Sequence, residues 1–170
     1  MNASTRWSRL FATHAPASMI LIRLMVGLVF LSEGVQKFVY PDHLGPGRFE
    51  RIGFVAPNAL AYFVACFEVG CGALLVVGLF TRAAAIPLII IMLTAIVTTK
   101  VPILLGHDLW SFHVHKLPRY GFWAMAHEAR ADWAMLLGSA CLLIGGGGRW
   151  SVDARWFRRT LPEHQGENKT

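Results

Sequence analysis

Charged side chains are scarce in this chain. Asp, Glu, Lys and Arg together make up 15% of its 170 residues, against about 25% in an average soluble domain. That shortage excludes a disordered polyelectrolyte and an ordinary soluble enzyme. Cysteine is also rare, with three residues in all. No C-x-x-C pair is present, which excludes a disulfide scaffold and a dithiol redox motif. Cys66, Cys71 and Cys141 lie within apolar runs and read as small buried apolar residues. The chain has no P-loop, no G-x-G-x-x-G fingerprint, no C-x-x-C-H haem attachment site and no recognisable Ser-His-Asp context. Internal repeats are absent, and the one biased segment is the glycine run 145–148. The net charge is +6, yet no basic stripe with interleaved aromatics accompanies it, so nucleic acid is excluded as a partner.

Apolar residues are abundant. They account for 55% of the chain, and the mean hydropathy is +0.48. They gather in runs at 19–38, 59–79 and 83–99, with a weaker one at 133–144. A helix needs about 20 apolar residues to cross a hydrocarbon core of ~30 Å. The first two runs have that length. The third reaches it with Arg82 and Lys100 snorkelling at its ends. The fourth becomes a span if it starts near Phe122 and carries His127, Glu128, Arg130 and Asp132 in its first turns. The glycines at 145–148 end it. The segment 40–58, rich in Pro and Gly, reads as a loop with a short amphipathic helix over 48–55, and 100–121 reads as a second, polar loop.

The expected fold is therefore all-α: an up-and-down transmembrane four-helix bundle with a polar loop between spans 3 and 4. Residues 1–18 form an N-terminal tail, 19–153 the membrane domain and 154–170 a basic C-terminal tail. Four spans place both ends on one side, with Arg6, Arg9, Arg82, Arg149, Arg155, Arg158, Arg159 and Lys169. The other side carries Arg48, Arg51, Lys100, Lys116, Arg119 and Arg130. This bias points to cytoplasmic termini in the cell inner membrane. Trp7, Trp110, Trp123, Trp150 and Trp156 suit interfacial positions.

Charges inside the spans are the main clue to chemistry, because each costs about 2.5–3.5 kcal/mol on insertion scales. Glu33 and Lys37 share a helix face within ion-pair reach. Glu68 lies about 14 Å and Glu33 about 8 Å from the outer ends of their spans. His127, Glu128 and Asp132 enter from the same side. The expectation is an acidic cluster in the outer half, partly offset by Lys37. It serves either as a structural network or as a site for a small molecule or proton. Arg23, near the other end of the first span, reads as snorkelling to headgroups. Gly27 and Gly34 permit close helix packing.

His107, Asp108, His113 and His115 cluster in the second loop and are weak candidates for Zn²⁺ or Cu²⁺. Their spacing matches no metal motif, and the plainer reading is a polar loop folded over the acidic pocket. His127 alone offers a single haem ligand.

Several patterns occur together. The first span reads Arg23-x3-Gly27-x2-Phe30-x3-Gly34-x2-Lys37-Phe38. The second carries Glu68-x3-Gly72 and then Gly78-x2-Thr81-Arg82. The last ends in Gly147-Gly148-Arg149-Trp150-Ser151-Val152-Asp153. Over residues 19–153 the chain resembles the DoxX family of small four-helix bacterial membrane proteins. The resemblance implies a four-span inner-membrane protein. Some members are subunits of quinone-linked oxidoreductases acting on sulfur compounds, and others are associated with oxidative-stress or thiol-redox systems. The matching positions are Arg23, Gly34, Lys37, Glu68, Glu128 and Asp153. Asp153 is expected to cap a short helix beginning near Ala154.

The functional expectation is a membrane subunit of a quinone- or thiol-linked redox system. Its polar pocket is built on Lys37, Glu68 and Glu128, with Glu33, His127 and Asp132 beside them. A quinone is the cofactor to consider. The partners to consider are the lipid bilayer, a redox partner protein and a second copy of the chain. The alternatives are a small-solute transporter and a non-enzymatic membrane scaffold.

Overall fold

The computed structural model describes residues 16–160, with side chains described for 16–156. Arg6, Arg9, Trp7 and Lys169 lie outside the described residues, as do the side chains of Arg158 and Arg159. Every regular element among the described residues is a helix, with a single isolated bridge between Leu109 and Phe112 and no strand. In chain order the helices are α1 (Met19–Val39), α2 (Pro46–Ile52), α3 (Pro57–Val77), α4 (Thr81–Ala95), a π turn (Ile96–Lys100), α5 (Val101–Leu105), α6 (Phe122–Glu128), α7 (Arg130–Gly145) and α8 (Val152–Thr160). Among the described residues, three helices are long and apolar enough to cross a membrane: Met19–Val39, Pro57–Val77 and the continuous rod Thr81–Leu105.

Local chemistry explains most boundaries. Proline occupies the first turn of α2 and of α3, where its missing N–H has no intrahelical role. Gly78 ends α3 at φ 78° and Gly106 ends α5 at φ 75°, the left-handed geometry of a helix C-cap. The third rod runs beyond the expected end at 99. Pro102, which looks like a helix breaker in sequence, sits in the first turn of α5 just after the π turn. Val101 N–H reaches back five residues to Ile96 O. The wider turn relieves the usual clash between a proline ring and the carbonyl four residues earlier.

The fourth apolar run is broken. α6 ends at Glu128, Ala129 takes φ −89° and ψ 0°, and α7 restarts at Arg130. Its 16 residues are fewer than the roughly 20 a straight crossing requires. α1 packs against α3 and α7, and α4 packs against the same two helices. Val26, Phe30, Leu75, Leu88 and Leu142 fill the centre. Leu21, Ile90, Leu137 and Ile144 point outward and are more than half exposed. Water would not favour so continuous an apolar surface, but lipid does.

The α1–α3 contact is the closest and is built on glycine. A Cβ at Gly34 would lie 2.9 Å from Ala65 O and 2.9 Å from Glu68 Cβ, and one at Gly72 would lie 2.8 Å from Leu31 N. These small residues let two backbones meet. All three cysteines are free. Cys71 is buried as expected, but Cys141 is half-buried and Cys66 exposed, because Cys66 lies on the outward face of α3.

Opposite the long loops, the chain locks itself shut. Arg23 does not snorkel. It is 3% exposed, and its Nη1 donates to Gly147 O at 2.8 Å. A Cβ at Gly78 would stand 2.5 Å from that nitrogen, so glycine makes room for the guanidinium. Asp153 does not cap its own helix. Its two carboxylate oxygens accept from Phe80 N at 2.8 Å and Thr81 N at 2.9 Å, capping the start of α4. Phe80 holds the N-cap position of α4 and has no side-chain acceptor to offer, so a carboxylate 73 residues later in the chain supplies it. Ser151 takes the role expected of Asp153, accepting from Ala154 N at 3.1 Å.

The glycine contact is tested by contrast. Gly34→Val forces α1 and α3 apart and is expected to lower stability in detergent by about 1–3 kcal/mol. Gly70→Ala, with nothing within 4 Å of a new Cβ, leaves the melting temperature at or above that of the parent. Equal melting of the two variants would contradict the close approach.

Candidate functional site

Lys37 is on the last turn of α1 and Glu68 is midway along α3. The glycine contact brings these two backbones close enough for the side chains to meet. Lys37 Nζ lies 2.6 Å from Glu68 Oε2, and the two side chains are 7% and 4% exposed. The neighbour four residues back on α1, Glu33, contributes only its main-chain oxygen to Lys37, at 3.4 Å. The lysine therefore pairs across helices. Two opposite charges in a poorly screened interior hold each other, whereas either alone would be very costly there.

The pair lies on the wall of a cavity of about 470 Å³. α1, α2, α3, α4, the π turn, α6 and α7 all contribute lining residues. Most of the wall is apolar, with Phe30, Phe49, Phe54 and Phe63 among its aromatic side chains. Glu33, Glu128 and Asp132 also line it, so the carboxylates expected to meet in the outer half do share one space. His127 does not join them. It is exposed, and its main-chain oxygen accepts from Arg130 Nη1 at 2.6 Å.

The cluster is less acidic than the sequence suggested. Lys37 is joined by Arg48, from α2, and by Lys100, from the π turn. Lys100 does not snorkel outward. Its Nζ lies 3.3 Å from Asp132 Oδ2, with side chains 13% and 20% exposed. Sequence reasoning missed Lys100 and Arg48 because one looked like a span end and the other like part of a surface loop.

The two long connections cover this end. His113 N donates to Ile52 O at 2.9 Å. Phe54 stacks edge-on to Phe112 at 5.1 Å and tilts on Phe49 at 5.1 Å. Gly53 has φ 101° and packs directly on Ser111 O, an approach that excludes a side chain. The second loop thus holds α2 over the cavity.

Asp108 organises that loop. It accepts from His113 Nδ1 at 3.0 Å and from Val114 N at 2.7 Å. The His113 hydrogen bond, and then that of Val114, hold its carboxyl below the usual carboxylate range. Among the described residues, no three His, Cys, Asp or Glu side chains converge as a metal ion requires. His107 turns its Nδ1 to Asp108 O at 2.9 Å, and His115 is exposed.

Comparison with known proteins places these residues in context. The DoxX family profile matches residues 18–101, which include Arg23, Gly34, Lys37 and Glu68. An uncharacterized membrane protein of Mycobacterium tuberculosis is 51% identical over 158 residues, covering 93% of each chain. No solved structure matches.

Two outcomes follow from this geometry. Lys37→Met strands Glu68 and is expected to lower stability by about 3–5 kcal/mol, while Lys37→Met with Glu68→Leu recovers most of that loss. Chemical denaturation in detergent measures both, and a double variant no better than the single one would refute the pairing. The Asp108 contact follows the rule for a depressed carboxylate. Its contribution is present above the ordinary pKa of about 3.9 and is lost as pH falls through the lower folded-state value. Amide exchange at Val114 is expected to quicken in that acid window in the parent, whereas in Asp108→Asn it is already fast at neutral pH.

Proposed function

Since the chain belongs to the DoxX family of membrane proteins, we propose that it is the quinone-binding membrane subunit of a redox system. In this reading α6 and α7 act together as a fourth crossing and complete an up-and-down bundle. The basic cluster Arg149 and Arg155 marks the cytoplasmic side of the inner membrane, so the cavity opens toward the outer leaflet. A partner protein carries the electron donor.

The observation that carries the reading is the buried Lys37–Glu68 pair on the wall of a largely apolar cavity of about 470 Å³. Ionisable pairs are expensive within a membrane and mark functional sites there. The volume falls in the range of about 300–1,000 Å³ typical of small-molecule pockets. Quinone chemistry suits the residues present. A bound quinone supplies a carrier of two electrons and two protons. Lys37 has N–H donors for a carbonyl oxygen, and Glu68 can accept from a hydroxyl. The phenylalanines form an apolar wall for the ring. Arg48 and Phe49 of α2 limit water entry from the loop side.

The test is chemical identification of what the protein holds. Full-length protein purified in mild detergent is extracted with organic solvent and the extract is chromatographed. An isoprenoid quinone is expected from the parent, and a sharply reduced amount from the folded Lys37→Met, Glu68→Leu double variant. The reading fails if no quinone copurifies and none binds when added. If Glu68→Gln then lowers only the melting temperature, the buried charges hold the helices together and the protein is a scaffold. If a polar solute is retained instead, transport is the better account.

A further inference from the structure

We infer that Lys100 and Asp132 form a second polar pole of this cavity, so that its ligand bears hydrogen-bonding groups at both ends of a flat apolar body. The inference rests on the quinone reading and adds a recognition element to it.

The two ion pairs join different helices. Lys37–Glu68 ties α1 to α3, and Lys100–Asp132 ties the end of the α4 rod to α7. These are the two closely packed helix pairs, and the cavity is lined by both pairs of charges, with apolar side chains such as Phe30 and Met135 also on its wall. Each pole is an ammonium beside a carboxylate, so each is close to neutral and offers both donors and an acceptor. A neutral ligand can meet both poles without disrupting either pair. A carbonyl can accept from either lysine, and a hydroxyl can donate to either carboxylate. The same two poles therefore suit a ring dicarbonyl and its dihydroxy form without rearrangement. A one-headed amphiphile would leave one pole unmatched.

The backbone supports a specific placement for Lys100. It closes the π turn Ile96–Lys100, a departure from α geometry that occurs frequently at functional sites. Its contact with Asp132 is longer than the Lys37–Glu68 contact, 3.3 Å against 2.6 Å, and more accessible. An ammonium has three N–H donors. Asp132 is the single partner recorded for Lys100 among the described residues, which leaves donors for a ligand.

The experiment compares two probes with the same methylated ring by calorimetric titration of the full-length protein in detergent. Duroquinone has a carbonyl at each end, and its fully substituted ring does not alkylate the exposed Cys66 thiol. Durenol has one hydroxyl. One additional hydrogen bond to a charged group predicts that duroquinone binds roughly tenfold or more tightly than durenol. Lys100→Met is expected to collapse this ratio toward one, and Lys100→Gln, which keeps N–H donors, to restore part of it. Thermal melting checks that each variant is folded. If Lys100→Met is not, the ratios for Lys100→Gln and Asp132→Asn decide. Both probes binding equally to the parent, or an unchanged ratio in the variants, overturns the second pole and leaves the quinone reading standing. No binding of either probe overturns both.

Discussion

A lysine ammonium 2.6 Å from a glutamate carboxylate, both nearly sealed from solvent, sets the terms for the rest of this protein. Neither charge tolerates that environment alone. The chain can keep them only if α1 and α3 stay in one register, and the glycines supply that register. Gly34 lies within van der Waals reach of Ala65 and Glu68, and Gly72 lies against Leu31. Close backbone approach thus comes first. The ion pair follows from it and makes any other register unfavourable.

The two ends of the molecule then differ in purpose. At the Arg23 end, space is eliminated. Gly78 makes room for a guanidinium that donates to Gly147 O, Asp153 caps α4 across the chain, and Ser151 caps the last helix. At the other end, space is preserved. Two ion pairs tie together two pairs of helices, and α2, held in place by the histidine-bearing loop, covers the hollow between them. A rigid base and a hollow, covered opposite end are an economical way to keep a cavity with charged groups on its wall open inside an apolar bundle. Packing forces that would otherwise collapse it are resisted by charges that cannot be left unpaired.

The local histidine and carboxylate chemistry fits the same division. Asp108 orders a loop, with His113 and Val114 as donors. That explains why several metal-capable side chains lie together without forming a coordination shell among the described residues. Their structural role is to hold Ile52 and Phe54 over the cavity.

Much of the fold was legible in the sequence because lipid imposes a simple rule. Long apolar runs must become helices, since nothing else satisfies the backbone in hydrocarbon. Runs 19–38, 59–79 and 83–99 accordingly became Met19–Val39, Pro57–Val77 and Thr81–Leu105. The residues bearing charge within those runs were equally visible. Their partners were not. Spacing along one helix favours Glu33 for Lys37, places Arg23 and Lys100 at headgroups and assigns Asp153 to its own helix. Each assignment changed because a residue distant in sequence provided a better-matched group: Glu68, Gly147, Asp132 and the start of α4. Hydropathy is summed over neighbours in sequence and can be read one segment at a time. Ion pairing and capping depend on distances of a few ångströms between segments, and only the packed helices determine those.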